Sequence, residues 1–200
     1  MHLGSNWRYK VNSKIKTNIF LVILVALFSA SGANAAGIGN NIVVLLAGEG
    51  LADGSGNQFT QLGLVAPEGV LCFDIDLVDA KTGRVIGSGS DCLSDIIPSD
   101  NGGMSLTATS FFHFHGGTLV SQGLVSVQPK FHGLEEYTHV VGAAPAPFEN
   151  NVIYGDGKFK DAEGSVRLSG LVNLSRLGTT GHIDFDCVFI IDLWHKRHNW

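Results

Sequence analysis

Charge is scarce in this chain, and so is proline. Charged side chains make up 16% of the 200 residues and only 5 are proline, while 44% are hydrophobic. Low charge with that apolar content excludes wholesale disorder. Cysteine is limited to Cys72, Cys92 and Cys187. None forms a C-x-x-C pair, so nothing here reads as a cysteine metal site. No Gly-x-Ser-x-Gly elbow and no His-Glu-x-x-His occurs, which removes two common hydrolase designs. Helical periodicity is lacking outside residues 1–35, and no later apolar run is long enough to span a bilayer.

Positive charge is lacking most of all. The chain has 13 basic and 18 acidic residues, a net charge of −5. Four of the basic residues, Arg8, Lys10, Lys14 and Lys16, precede an apolar stretch at 19–28 (IFLVILVALF), and Ala33-Asn34-Ala35 follows as a small-x-small site. This order is that of a secretory signal peptide over 1–35. The alternative is an N-terminal membrane anchor, since the apolar run stretches to about 18 residues, the lower limit for a span. No cysteine follows the cleavage site, so a lipoprotein anchor is not supported. Without 1–35 the chain keeps 9 basic against 18 acidic residues, net −9. That excludes nucleic acid and anionic membranes as partners, because both need Lys and Arg to meet phosphate. The expected location is secreted or periplasmic.

What remains is glycine and strand-forming residues. There are 26 glycines, and the Val, Ile, Thr and Phe runs between them favour an all-β chain. Residues 42–47 (IVVLLA) read as a strand covered on both faces. Residues 70–78 alternate, with Phe73, Ile75 and Leu77 on one face and Cys72, Asp74 and Asp76 on the other. A return strand follows over 84–92, then a loop over 93–103. Strands at 104–115 and 118–127 are joined by Gly116-Gly117, a two-residue hairpin signal. Further strands are expected at 136–141, 165–174 and 182–193, with a short one near 151–154. In the last long strand Ile183, Phe185, Cys187, Phe189, Ile191 and Leu193 share a face. About eight antiparallel strands with hairpin links point to a closed barrel over 36–193, because closure removes exposed edges. A β-sandwich is the alternative. Residues 194–200 read as a frayed C-terminal tail.

The segments 71–92 (LCFDIDLVDAKTGRVIGSGSDC), 104–127 (MSLTATSFFHFHGGTLVSQGLVSV), 135–142 (EEYTHVVG), 154–168 (YGDGKFKDAEGSVRL) and 183–193 (IDFDCVFIIDL) occur in an order that resembles the allene oxide cyclase barrel family. Their best motif is Gly157-x-Phe159-x-x-Ala162-x-Gly164. The dirigent proteins are similar in the same segments. The resemblance implies an eight-stranded barrel, often a homo-trimer, with an apolar cavity opening at one end. Plant members cyclise an unstable fatty-acid epoxide or steer a radical coupling. It therefore implies a small apolar ligand, isomerase or cyclase activity by confinement, and no cofactor. The chain departs from the family at 143–151, which interrupts the Gly-rich region. Glu49, the nearest match to the family's first-strand glutamate, sits in a different setting. Cys92 lies near the family's pocket cysteine, but one residue closer to Gly87.

Candidate site residues follow. Thr82 is midway between Cys72 and Cys92, so a hairpin centred there sets Cys72 opposite Cys92, Asp74 opposite Ser90 and Asp76 opposite Ser88. Opposed strand residues can approach closely enough to bridge, which gives a Cys72–Cys92 disulfide; a bulge at Gly83 would break that register. The alternative makes Cys92 a free pocket thiol and, with Glu49, a catalytic candidate. Cys187, on an apolar face, reads as a buried inert thiol. No metal is expected; His113 and His115, at i and i+2, are the nearest approach to a ligand pair, with His132, His139 and Asp184 as contributors. The Asp74/Asp76 and Asp184/Asp186 pairs read as solvated strand faces rather than acid–base pairs. The glycines of 154–159 lack the Gly-Lys-Ser/Thr of a phosphate loop, and Asn173-Leu174-Ser175 is a formal glycosylation sequon. Two functions stand: a small-molecule barrel, or a non-catalytic extracellular module whose loops, 143–151 above all, contact a partner.

Overall fold

A computed structural model of the chain describes residues 40–131 and 137–195. The segment 1–35 expected as a signal peptide, His132 and Glu136, and the part of the expected tail beyond His195 lie outside the described residues. Nine strands form one antiparallel sheet: β1 (Asn40–Leu51), β2 (Leu71–Asp79), β3 (Val85–Pro98), β4 (Met104–Phe114), β5 (Gly117–Pro129), β6 (His139–Ala143), β7 (Val152–Gly155), β8 (Ala162–Asn173) and β9 (His182–His195). Two short helices, α1 (Asn57–Gln61) and α2 (Leu177–Thr180), and a 3₁₀ turn at Gly157–Phe159 complete it. The strand order β4-β3-β2-β1-β9-β8-β6-β5 closes through β4–β5 pairing, giving an eight-stranded barrel, and β7 adds to β5 as an extra strand. The expected all-β closed barrel is therefore present, and the sandwich is not.

Period-two alternation explains the wall. β9 turns Ile183, Phe185, Cys187, Phe189, Ile191 and Leu193 into the core, as its sequence pattern required. In β4 the same alternation sends Leu106, Ala108 and Phe112 inward and Phe111 outward. Phe111 is not left in water. It packs edge-on against Phe59 of α1, centroids 5.0 Å apart, in a second small core with Val70, Cys72, Cys92 and Val120. The segment between β1 and β2 thus covers part of the barrel's outer face.

Several boundaries differ from the sequence expectation. β1 is longer than 42–47 and is covered on one face only: Val44 and Leu46 are buried while Leu45 is exposed. β3 runs on to Pro98 through the stretch expected as loop, because a bulge between Ser94 and Ile97, with Asp95 at φ 50, absorbs one extra residue and pairing resumes. The β4–β5 turn is His115-Gly116, with Gly117 already paired to Phe114. β6 starts at His139, and β9 continues past Leu193, so Trp194 and His195 pair with Glu163 and Ala162 instead of fraying.

One end of the barrel is plugged with aromatic rings. Phe112 lies edge-on to Phe189 (5.1 Å) and stacks with Phe114 (6.2 Å), which meets Phe159 (5.5 Å). Phe159 is carried there by the glycine-rich corner that follows β7. Gly157 has φ 52, and a Cβ on it would lie 2.2 Å from the carbonyl oxygen of Gly116. Lys158 N–H donates to that same carbonyl (2.9 Å). Gly157→Ala combines left-handed strain with a backbone clash. It is expected to destabilise the fold by roughly 1–3 kcal/mol, measured by urea unfolding against wild type; a loss within error would mean the corner is not fixed to the β4–β5 turn.

Candidate functional site

Among the described residues, Asp91 is the carboxylate that lines the interior cavity. Phe73, Asp91, Ser110 and Ser121 are successive cross-strand partners on β2, β3, β4 and β5. Phe73 faces the core, and its rung partner Asp91 faces it too. Ser110 Oγ donates to Asp91 Oδ1 at 2.6 Å. Asp91 lines a cavity of about 60 Å³ together with Leu93, Ala108, Cys187 and Phe189, and the cavity continues toward the end of the barrel formed by Ile96, Met104, Leu174 and Leu177. Asp91 is half-buried and belongs to the lining of that cavity.

Burial dominates its chemistry. Desolvation pushes the Asp91 carboxyl up to about 6, against a smaller opposing effect of the Ser110 hydrogen bond. Desolvation also pushes the Cys187 thiol up to about 12, with the Asp91 charge adding to it. Cys187 Sγ donates to the Leu171 carbonyl (3.6 Å), so the thiol is buried and protonated, in line with the inert role expected for it. A carboxyl near 6 can hold a proton or release it close to neutral pH, which suits it to exchange a proton with a bound group.

This shift fixes a pH dependence. The folded value of Asp91 lies above its ordinary value of 3.8, so the folded state binds the proton more tightly than the unfolded chain. The stabilising effect is complete below about pH 4 and is lost as pH rises to about 6, a change on the order of 3 kcal/mol. Asp53 and Asp79, lowered by hydrogen bonds from Ser55 and Thr82, act below that window and with opposite sign. Asp91→Asn is expected to flatten the slope between about pH 4 and about pH 6 and to stabilise the protein at neutral pH. Urea midpoints across that range test this; an unchanged slope would refute the burial of this carboxyl.

The residues singled out from sequence fall elsewhere. Cys72 and Cys92 are joined in a disulfide on the outer face. The Cys72 peptide bonds toward Asp53, away from β3, which makes Cys72–Cys92 a non-hydrogen-bonded pair, the closer of the two kinds. The turn itself is offset, since Asp79 bonds to Arg84 and Val78 pairs with Val85; the extra residue Ile86 then restores the register that puts Cys72 opposite Cys92. A bulge is present, at Ile86 rather than Gly83, and it creates the pairing. Cys92 is consequently not a pocket thiol. Glu49 is outside the cavity, 3.2 Å from both Arg176 and His182. His113 shares a 3.2 Å contact with Thr118 through Nδ1, while His115 is exposed in the β4–β5 turn, so the i, i+2 pair does not stay on one strand face. His139 contacts Thr138 (2.6 Å) and Asp184 accepts from Arg176 (2.5 Å) and Asn173 (3.0 Å). Among the described residues no three His, Cys, Asp or Glu side chains gather around a common point. Asn173 of the sequon has its side chain engaged by Asp184 and Ser175.

Asp91 itself was missed. Its signal was the Cys72–Cys92 register, which also places Asp91 opposite Phe73 and hence on the apolar face. Comparison with protein-family models finds no match, and none of the curated proteins matches the chain. No helix among the described residues is long and apolar enough to cross a membrane. The disulfide fits an oxidising compartment.

Proposed function

We propose that this chain is an exported barrel, of the kind found in allene oxide cyclases and dirigent proteins, that takes a small and largely apolar molecule into its interior. The observation that carries this is Asp91: one carboxyl, held near 6, in a cavity otherwise lined by apolar groups and Cys187. Burying a carboxyl away from any cation opposes folding, and such groups concentrate at binding and catalytic sites. The free volume of about 60 Å³ is well below the roughly 300–1,000 Å³ of ordinary ligand pockets. The ligand is therefore a fragment of a few heavy atoms, or it enters by swinging the side chains at the open end, where Met104 is unbranched and Ile96 is 41% exposed. An isomerase or cyclase reaction there would use Asp91 as its acid–base group and the wall for confinement.

Native mass spectrometry of protein from its own source reports a retained molecule and the number of subunits, three being the expectation. NMR titration with straight-chain alcohols of increasing length then asks whether the Phe73, Asp91 and Ser110 resonances move, and whether Asp91→Asn alters the affinity. No retained mass and no shift with any alcohol would reject the reading. A second reading, a non-catalytic module that contacts a partner through residues 143–151, draws on Phe148, which is 93% exposed.

A further inference from the structure

The barrel wall has a thin place where β5 changes neighbours. β6 pairs with β5 over 126–129 and β7 pairs with it over 119–121, while Gln122 N–H donates to the Asn151 carbonyl (2.9 Å). Residues 123–125 have no ladder partner on that side among the described residues. The Asn151 side chain spans the break to Val166 of β8 through two hydrogen bonds. The wall is joined there, but it is not filled. Gly123 is paired with the buried Ala108, and Ala143 with the buried Leu168, so both have inward parity. Both are nevertheless only half-buried. A Cβ on Gly123 would meet just the Asn151 amide nitrogen, at 3.5 Å. The missing side chain leaves room.

Three spaces share walls at this point. A gap of about 20 Å³ is lined by Ser110, Ser121, Gly123 and Asn151, among others. It shares Ala108, Val125, Leu168 and Phe189 with the cavity of Asp91. It shares Gly123, Ala143 and Asn151 with an outer groove of about 210 Å³ that Leu124, Pro145 and Glu149 also line. A water needs roughly 10–15 Å³ and two to four polar partners, so the gap suits water and nothing much larger. Its polar walls are buried: Ser110 and Ser121 are 5% and 4% exposed. They are direct cross-strand partners, and opposed Cβ atoms about 4.5–5.5 Å apart are a separation that one water can bridge. Ser110 Oγ in turn donates to Asp91 Oδ1 (2.6 Å).

We propose that Ser121 and Ser110, bridged by water in this gap, form a proton route through the side of the barrel from the outer groove to Asp91. Such a role rests on the reading of Asp91 as an acid–base group. A carboxyl that gives a proton to a bound molecule must regain one from solvent. The end of the barrel beside Ile96, Met104, Leu174 and Leu177 is apolar, and a molecule seated there keeps water out. The side route stays open while the end is occupied. A water in the gap passes a proton to Ser110 Oγ as Ser110 releases its own to Asp91 Oδ1. Each oxygen in the line gains one proton and loses one, so the net change is one proton lost by the outer groove and one gained by the carboxylate.

Carbon-13 relaxation dispersion at the Asp91 carboxyl, recorded on the full chain at its titration midpoint, reads the rate of proton exchange. Gly123→Val puts a side chain into the gap and is expected to slow that rate by about tenfold or more. Ser121→Ala removes a hydroxyl without adding volume and is expected to slow it as well, with the midpoint and the circular dichroism unchanged. A merely structural role for Ser121 would move the midpoint or the fold, not the rate alone. Ser121→Ala also keeps the test available should valine at 123 strain the wall. A wild-type rate in Ser121→Ala, or in a folded Gly123→Val, would overturn the proposal. Asp91 is titrated here without any ligand. Failure of the alcohol titrations therefore rejects the binding reading alone, and an unchanged exchange rate rejects the proton route alone.

Discussion

Replacing Phe112 with alanine is expected to destabilise the barrel by about 3–5 kcal/mol, the largest effect of a single side chain here. Phe112 is fully buried and is the central ring of the plug, touching Phe189 and Phe114. Its removal loses transfer free energy and leaves a hole that a closed ring of ladder hydrogen bonds cannot collapse around. Urea unfolding should show a lower midpoint with an unchanged slope, the mark of lost stability rather than an altered unfolded state. Phe112→Leu should cost much less, about 1–2 kcal/mol, because it leaves a smaller hole. A double-mutant cycle with Phe189 is expected to be non-additive, since an edge-on pair contributes roughly 0.5–1.5 kcal/mol beyond area burial. A loss below about 1 kcal/mol for the alanine variant would mean that the plug is loose.

Loss of the Cys72–Cys92 bridge ranks next. The two residues are 20 apart in sequence, and restraining a loop of that size in the unfolded chain is worth about 3 kcal/mol. Both sulfurs are buried beside Phe59 and Phe111, so a paired alanine replacement avoids placing hydroxyls in that apolar cluster. Thermal or urea unfolding of the pair, against wild type with and without reductant, measures the difference. Alkylation supplies the matching count. Native protein should label at no cysteine, because Cys187 is buried and its thiol is held protonated. Unfolded but unreduced protein should label at one position, and reduced protein at three. Three labels without reduction would show that the bridge is absent.

The wall of this barrel was readable because alternation is a strong constraint: once Phe73, Ile75 and Leu77 point inward, the rest of β2 has no choice. The disulfide was readable for the same reason, although the register came from a bulge at Ile86 that no residue pattern announces. Bulges hid more elsewhere. Asp95 looked like a loop residue, and only the resumed pairing beyond it shows that β3 continues. The site was less legible than the fold. The acidic residues that alternate with apolar ones in the sequence, such as Asp74 and Asp76, are on the outer face, and Cys92 is held in the disulfide. Asp91 differs from them only by parity, and parity becomes chemistry only when the strand is placed in a closed barrel. The gap beside Gly123 was hidden more deeply still, since it depends on where β5 changes neighbours.

β5 is paired by β6 along one half and by β7 along the other. At the break, the Asn151 side chain donates to the Val166 carbonyl (3.0 Å) and accepts its N–H (2.7 Å), doing the work of a neighbouring backbone. The wall is thus continuous without residues 144–149. At the same time Asn40 and Leu193 are ladder partners, so the first and last strands of the barrel lie side by side. A chain cut within 144–149 and rejoined by a short linker from β9 to β1 would lay down the same staves in a rotated order. The barrel is in this sense a ring with a movable starting point, and the excursion marks where the ring can be opened.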